Sequence, residues 1–127
     1  MIDHISIAVS DLKSAEPFYT ALLAPLGLDK LREWPDAAIG YGKKYPEFWI
    51  NKRTAMSPVK TDSGVHICLR APSAEAVDAF HAAALTGGGL SDGAPGFRPE
   101  YNQKYYAAFI CDPDGNRIEA VTFVEGK

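Results

Sequence analysis

The chain has 127 residues and a net charge of −3, with its 13 lysines and arginines scattered rather than clustered. This length suits one compact domain, and the scattered cations argue against a nucleic-acid partner. No apolar run approaches a membrane span and no signal-peptide pattern opens the chain, so we expect no membrane partner and a cytoplasmic location. Cys68 and Cys111 lie in separate apolar runs without a CxxC spacing and are expected to be buried free thiols.

The first half of the chain predicts a βαβββ module over residues 1–51. Residues 2–9 alternate in character, which is typical of a strand and places His4 on the opposite face from its apolar neighbours. Asp11 is the expected cap of the helix that follows, and turn-forming residues separate three further strand segments. The predicted helix and strands are 12–23, 28–34, 37–41 and 47–51.

A second βαβββ module is predicted over residues 64–124, after a polar linker at 52–63. Ser73 is expected to cap its helix, which ends at three consecutive glycines. The segment 90–103 gives only a weak strand signal, whereas the last two strands are joined by the turn Asp112-Pro-Asp-Gly-Asn. The other predicted strands and the helix are 64–71, 74–85, 105–111 and 117–123.

The two modules repeat one pattern at a spacing of 62 residues, with a histidine at the same place in each first strand. A capping residue and a helix with an aromatic on its apolar face follow in both copies. A single histidine on a strand is most often an ordinary core or surface residue, but here two histidines stand at matched positions of the repeat. The identities at this offset are His4/His66, Ile5/Ile67, Phe18/Phe80, Ala21/Ala83 and Leu23/Leu85.

Three stretches of the chain carry a resemblance to a known superfamily. They are Asp3-His4-Ile with Asp11-Leu12 and Phe18-Tyr19 downstream, Gly64-Val-His66-Ile, and Asp112-Pro-Asp-Gly115-Asn-Arg-Ile-Glu119. In this order and spacing they resemble the vicinal oxygen chelate superfamily, which includes glyoxalase I, extradiol dioxygenases, fosfomycin-resistance enzymes and bleomycin-binding proteins. The resemblance covers essentially the whole chain.

The resemblance implies an α+β fold in which two paired βαβββ modules form a half-open, eight-stranded mixed sheet around a divalent metal. Matched residue by residue, it implies His4, His66 and Glu119 as the metal ligands. Imidazole and carboxylate suit Fe, Mn, Ni, Co or Zn, and three protein ligands leave positions open for substrate oxygens. One divalent ion per site is expected, and the modules pair either within one chain or across a homodimer.

Two positions depart from well-known members of the superfamily. Glyoxalase I carries a glutamate, used as ligand and base, on the last strand of its first module, where this chain has Ile50 as the best match. Extradiol dioxygenases carry a tyrosine and an upstream histidine before the final turn, where this chain has Phe109 and no histidine over 101–108. The standard reactions of both groups are therefore not expected.

Residues 97–106 combine apolar rings, phenols and two cations, a composition that suits an organic anion and equally a plain surface loop. A phenol at Tyr101, Tyr105 or Tyr106 is a candidate to donate a hydrogen bond or a proton in catalysis. The candidate substrate-binding residues are Phe48, Ile50, Phe97 and Arg98.

The sequence thus predicts a glyoxalase-like, metal-dependent enzyme, either a lyase, an isomerase or a transferase. It would chelate two adjacent oxygens of a small organic substrate and stabilise the oxyanion or enediolate that forms. Two alternatives stay open: a non-catalytic protein that binds or sequesters a small molecule, as in bleomycin resistance, and a structural or interaction module. The last would be supported if His4 and His66 faced solvent on opposite sides.

Overall fold

The computed structural model describes residues 1–125. Within them, each half of the chain contributes four strands and one α-helix, and a short 3-10 helix follows the first α-helix. In chain order the elements are β1 Ile5–Val9, α1 Leu12–Leu23, the 3-10 helix Ala24–Leu26, β2 Asp29–Trp34, β3 Ala38–Gly42, β4 Phe48–Lys52, β5 Ile67–Arg70, α2 Ala74–Thr86, β6 Leu90–Phe97, β7 Tyr105–Cys111 and β8 Arg117–Phe123.

The strands form two mixed sheets of four, one from each module. Their orders are β1-β4-β3-β2 and β5-β8-β7-β6, so the two modules have the same topology. In each sheet the first and last strands of the module pair in parallel, and all other pairs are antiparallel. The predicted α+β class and the paired βαβββ modules are confirmed, with the eight strands divided between two separately hydrogen-bonded sheets.

Both helices begin at the caps that the sequence predicts. The Asp11 side chain accepts a hydrogen bond from the backbone N–H of Lys13, and the Ser73 side chain accepts one from that of Ala76. These caps satisfy N–H groups that have no partner within the helix. Among residues 1–125, no helix is both long enough and apolar enough to cross a lipid bilayer.

One hydrophobic core joins the two modules. Helices α1 and α2 pack against each other, and each also packs against strands of its own module. The other face of each sheet points away from this core and carries exposed side chains, such as Ser6 on β1 and Cys68 on β5. The largest fully buried side chains come from both halves of the chain: Tyr19, Tyr41, Phe48, Phe80, Leu22, Leu23, Leu26, Ile39, Ile50, Ile110, Ile118 and Val9.

A network of buried polar groups fastens the second module to the first. The Tyr19 hydroxyl donates to Asp112 Oδ2 at 2.5 Å, and the Asn116 side-chain amide donates to the same oxygen at 2.9 Å and to the Ala8 carbonyl at 2.8 Å. Burial raises the pKa of Asp112, while the hydrogen bonds from Tyr19 and Asn116 act in the opposite direction. The Asp-Pro-Asp-Gly-Asn turn is thus a tie between modules as well as a link between strands.

Candidate functional site

His66 and Glu119 form a close pair on the outer face of the second sheet. His66 immediately precedes β5 and Glu119 lies on β8, and the parallel pairing of these strands sets Glu119 beside Cys68, two residues after the histidine. His66 Nε2 lies 3.0 Å from Glu119 Oε1, and the glutamate side chain is 3% exposed against 51% for the histidine. A carboxylate buried to this degree needs a cation or several hydrogen-bond donors to stay charged.

Tyr105 holds the second oxygen of the same carboxylate. Its hydroxyl donates to Glu119 Oε2 at 2.5 Å from the neighbouring strand β7. Burial and this hydrogen bond raise the pKa of Tyr105 well above its ordinary value near 10, so the phenol keeps its proton at neutral pH. Glu119 therefore has one oxygen fixed by a donor and the other turned toward His66.

Cys68 completes this group of titratable side chains, and its placement corrects the expectation of a buried thiol. Both cysteines are free, as predicted, but neither is fully buried: Cys111 is half-buried, and Cys68 is exposed on the same face as His66. Neighbouring groups still desolvate the sulfur, and this desolvation, with the charge of Glu119, raises the pKa of Cys68 to about 12. The thiol is therefore protonated at neutral pH.

A cavity of about 160 Å³ opens beside the pair. His66 and Phe109 line it, together with Arg117, whose guanidinium Nε lies 3.9 Å from a carboxylate oxygen of Asp92. The ring of Phe109 stands next to Glu119 in the strand register. The cavity thus reaches His66 from one side, through walls that contain an apolar ring at Phe109 and the ion pair of Arg117 with Asp92.

His4 lies apart from this pair. It immediately precedes β1 on the outer face of the first sheet, is 54% exposed, and its Nδ1 lies 2.8 Å from Asp3 Oδ1. Among residues 1–125 there is no group of three His, Cys, Asp or Glu side chains that could hold a metal ion. One chain therefore brings together two of the three predicted ligands, His66 and Glu119, and leaves the third on another sheet. Both histidines are about half exposed, on outer faces that point apart, which within a single chain is the arrangement expected of a structural or interaction module.

The strand register shows that Trp49, and not Ile50, holds the place in module one that Glu119 holds in module two. Glu119 stands beside Cys68 on β5, and Ser6, which is the repeat equivalent of Cys68, stands beside Trp49. Ile50 pairs with Ile7 and points into the core instead. The match drawn from the sequence was therefore one residue out, because alternate residues of a strand point to opposite faces.

The structure places Phe48 and Ile50, two predicted substrate-binding residues, inside the core of this chain, where they are 1% and 0% exposed. Of the three candidate tyrosines, only Tyr105 reaches the His66–Glu119 pair. Tyr101 is exposed and packs edge-on against the Tyr105 ring, with the ring centroids 5.1 Å apart. Tyr106 lies on the opposite face of β7, where its hydroxyl donates to Asp78 of α2 at 2.7 Å.

The other two candidates, Phe97 and Arg98, lie at the end of β6. The Arg98 guanidinium donates to the carbonyls of Gly96 and Ala94 at 2.9 and 2.7 Å and stacks over the Phe109 ring. Phe97 is half exposed and packs edge-on against Tyr106. Arg98 thus holds the irregular end of its own strand, and its ring partner Phe109 connects it to the cavity beside His66.

Comparisons with known proteins identify the family. Residues 1–120 match the family model of the Glyoxalase/Bleomycin resistance protein/Dioxygenase superfamily. A glyoxalase/bleomycin resistance protein from Albidiferax ferrireducens T118 is 34% identical with a TM-score of 0.81, over 95% of this chain and 98% of that one. No curated protein matches the chain.

More distant solved structures share the fold. A glyoxalase/bleomycin resistance protein/dioxygenase family enzyme from Burkholderia phytofirmans PsJN is 18% identical with a TM-score of 0.69, over 96% of this chain and 98% of that chain. A lactoylglutathione lyase from Agrobacterium tumefaciens is 18% identical with a TM-score of 0.63, over 95% and 92%. This chain belongs to the glyoxalase/bleomycin resistance protein/dioxygenase superfamily.

Proposed function

We propose that the protein is a divalent-metal-dependent enzyme that acts on a small organic substrate with two adjacent oxygens. The observation that supports it is the pairing of His66 Nε2 with the nearly buried Glu119 Oε1, whose other oxygen is held by Tyr105. Imidazole and carboxylate are suitable ligands for Fe, Mn, Ni, Co or Zn, so the donor set fits a divalent ion. Such an ion would act as a Lewis acid that stabilises negative charge developing on substrate oxygens.

The third ligand, in this proposal, is His4 of a second copy of the chain. Within one chain the outer faces of the two sheets point away from a shared core, so His4 cannot join His66 without separating the packed helices. Both outer faces carry exposed side chains, which a partner module would cover. A homodimer with a two-fold axis would form two equivalent sites, because each copy offers two half-sites: His4 with its sheet face, and the His66–Glu119 pair with its own.

The residues around the pair would bind and orient the substrate. Arg117 and the Phe109 ring line the cavity beside His66, together with Asp92, the ion-pair partner of Arg117. A substrate carboxylate would compete with Asp92 for the guanidinium, whose fork of donors suits such an anion. In the metal-free protein, burial and the hydrogen bond to Glu119 raise the pKa of Tyr105, so the phenol acts there as a hydrogen-bond donor. Its contact with Glu119 holds the carboxylate in one orientation.

A non-catalytic binding protein is the second candidate. The aromatic Trp49 in the position that matches Glu119 supports it, because this half-site offers a stacking surface in place of a carboxylate ligand. A binding protein of this kind would hold its ligand in the same groove without a metal. The two functions therefore differ in metal content and not in the location of the site.

The test is metal content, by elemental analysis of protein purified without chelators or a polyhistidine tag. We expect about one divalent ion per chain. His66→Ala, Glu119→Ala and His4→Ala should each lose it. His81→Ala is the matched control and should keep the metal, because His81 lies on α2 and its Nε2 is paired with Ser91.

A heterodimer of His4→Ala and Glu119→Ala chains, purified through two different tags, tests the sharing of ligands. If ligands are shared between chains, the heterodimer keeps one complete site, formed by His4 of the Glu119→Ala chain and by His66 and Glu119 of the His4→Ala chain. The heterodimer should then bind about one ion per two chains. If each chain builds its own site, the heterodimer binds none. Metal-free wild-type protein that takes up no ion on reconstitution would refute the enzyme proposal and favour the binding protein.

A further inference from the structure

Trp49 is held as a flat platform on the outer face of the first sheet. A Cβ atom at Gly40, on the adjacent strand, would lie 2.9 Å from two carbons of the Trp49 indole and 2.8 Å from Pro46 Cβ. The ring therefore lies against the bare backbone of Gly40, beside Pro46. This glycine is needed for the close approach of the ring and not for a special backbone angle.

Two rows of side chains run across this face in the strand register. One row contains Ser6, Trp49, Gly40 and Arg32, and the other contains Ala8, Asn51, Ala38 and Trp34. Small residues thus separate the two tryptophans, which lie on β4 and β2 with β3 between them. Two strand spacings are roughly 10 Å, so a planar ring that stacks on Trp49 would meet Trp34 at its edge.

Within one chain, the space above the platform is open. Two cavities of about 430 and 360 Å³ share His4, Trp34 and Trp49 in their walls. Trp34 is 59% exposed, which is a large apolar surface to leave in water. The only amide side chain in the walls of the larger cavity is that of Asn51, at the end of the platform.

We infer that this face binds a planar aromatic ring that is attached to the pair of chelating oxygens of the substrate. The inference rests on the proposed function, because it places the ring beside His4. The platform lies one to two strands from β1, and Trp49 is in register with Ser6, two residues beyond His4, so the backbone of the platform is roughly 8 to 12 Å from that of the histidine. That distance suits a substrate whose ring is attached to one of the two oxygen-bearing carbons. It does not suit a substrate whose two oxygens are both attached to the ring itself.

Mandelate and lactate are a matched pair of probes. Both present a hydroxyl and a carboxylate on adjacent carbons, and they differ only in a phenyl or a methyl group. Dissociation constants would be measured by calorimetry on metal-loaded and metal-free wild-type protein, and on Trp49→Leu and Gly40→Ala. Gly40→Ala keeps the Trp49 indole but displaces it, because the added Cβ would collide with the ring. This variant therefore tests whether the indole must lie flat on β3, whereas Trp49→Leu tests whether the indole is needed at all.

We expect mandelate to bind the metal-loaded protein at least about tenfold more tightly than lactate, which corresponds to one good aromatic contact. Both variants should reduce this preference to less than about threefold. The affinity for lactate and the metal content should stay unchanged. Elution volume in size-exclusion chromatography would be recorded for each protein, because a dimer contact through the tryptophans would change it.

Equal affinities for the two acids in the wild type would overturn the inference, as would a preference that survives in both variants. Variants that become monomeric would also overturn it, since the platform would then be a subunit contact. A wild type that holds no metal but prefers mandelate in a manner that depends on Trp49 would refute the metal chemistry and retain the ring site. The two proposals can therefore fail separately.

Discussion

The hydroxyl of Tyr105 provides the sharpest test of the candidate site, because its removal leaves both proposed ligands of the second module in place. Tyr105→Phe deletes the O–H that donates to Glu119 Oε2 at 2.5 Å. The glutamate side chain is 3% exposed, so water has little access to replace the lost donor. Loss of such a supporting hydrogen bond typically costs 10- to 100-fold in metal affinity, and we expect a decrease of about that size.

The affinity would be measured at pH 7.5 by competition of the protein with a chromogenic chelator for Mn or Ni. Tyr106→Phe is the matched control, since it removes the same hydroxyl from the next residue of β7. That hydroxyl points to the opposite face and donates to Asp78 on the helix α2, so we expect a change of less than about twofold. Thermal unfolding of both metal-free variants would show that they are folded at the temperature of the titration.

Two results would refute the reasoning. If Tyr105→Phe binds the metal within about twofold of the wild type, the hydrogen bond does not orient the carboxylate as a ligand. If both phenylalanine variants lose affinity equally, the effect belongs to the strand and not to the site. A decrease confined to Tyr105→Phe would support Glu119 as a ligand independently of any activity.

Four further predictions concern three residues, namely Tyr19, Arg98 and Cys68. Tyr19→Phe should lower the free energy of unfolding in urea by about 1.5 to 3 kcal/mol, because its hydroxyl donates to a buried carboxylate; a loss below about 0.5 kcal/mol would contradict this. Burial raises the pKa of Tyr19 well above its ordinary value of 10.0, so the folded protein keeps a proton that the unfolded chain releases. Stability should therefore fall by about 1.4 kcal/mol per pH unit above pH 10 from this group alone, and the slope should decrease in Tyr19→Phe. Arg98→Lys should speed amide hydrogen exchange in β6 while β8 stays protected, because one ammonium cannot reproduce two guanidinium bonds to carbonyls; uniform exchange in both strands would count against it. In the metal-free protein, Cys68 should react with iodoacetamide far more slowly at pH 8 than a free cysteine, because its pKa of about 12 leaves little thiolate, and Glu119→Gln should speed the reaction, as peptide mass spectrometry would show.

Much of the fold could be predicted from the sequence, because the signals involved are local. Caps at Asp11 and Ser73 and alternating strands are properties of short segments, and the repeat then fixes the topology of the second module from the first. Glu119 and His66 could be named from the resemblance. Their contact with each other depends on the pairing of β5 with β8, which a single sequence does not encode locally.

The error at Ile50 has a physical origin. Residues 43–47 form an irregular turn before β4, and its length is compatible with either phase of the strand that follows. The phase is decided by backbone hydrogen bonds between this turn and neighbouring strands. The N–H of Ile5 donates to the Glu47 carbonyl, and the N–H of Glu47 donates to the Tyr41 carbonyl. These are tertiary contacts, and a shift of one residue exchanges the core face for the outer face.

Strand β6 was underestimated for a similar reason. Its Gly-Ala-Pro-Gly sequence has poor intrinsic strand propensity, and the ladder with β7 shifts register twice along it. The Arg98 guanidinium, which holds two carbonyls of this stretch, compensates from outside the segment. Strand propensity is a property of residue types, and it does not include a side chain that bonds the backbone carbonyls two and four residues before it.

The tie formed by Tyr19, Asp112 and Asn116 has a consequence for how this protein can evolve. Since the two modules of a chain are fastened together, they would move as one block, with His4 on one module and the His66–Glu119 pair on the other. In a shared site, the distance between His4 and the His66–Glu119 pair is then set by the way two blocks dock. Substitutions at the docking surface can retune the coordination geometry, and with it the choice of ion, while every ligand is left unchanged.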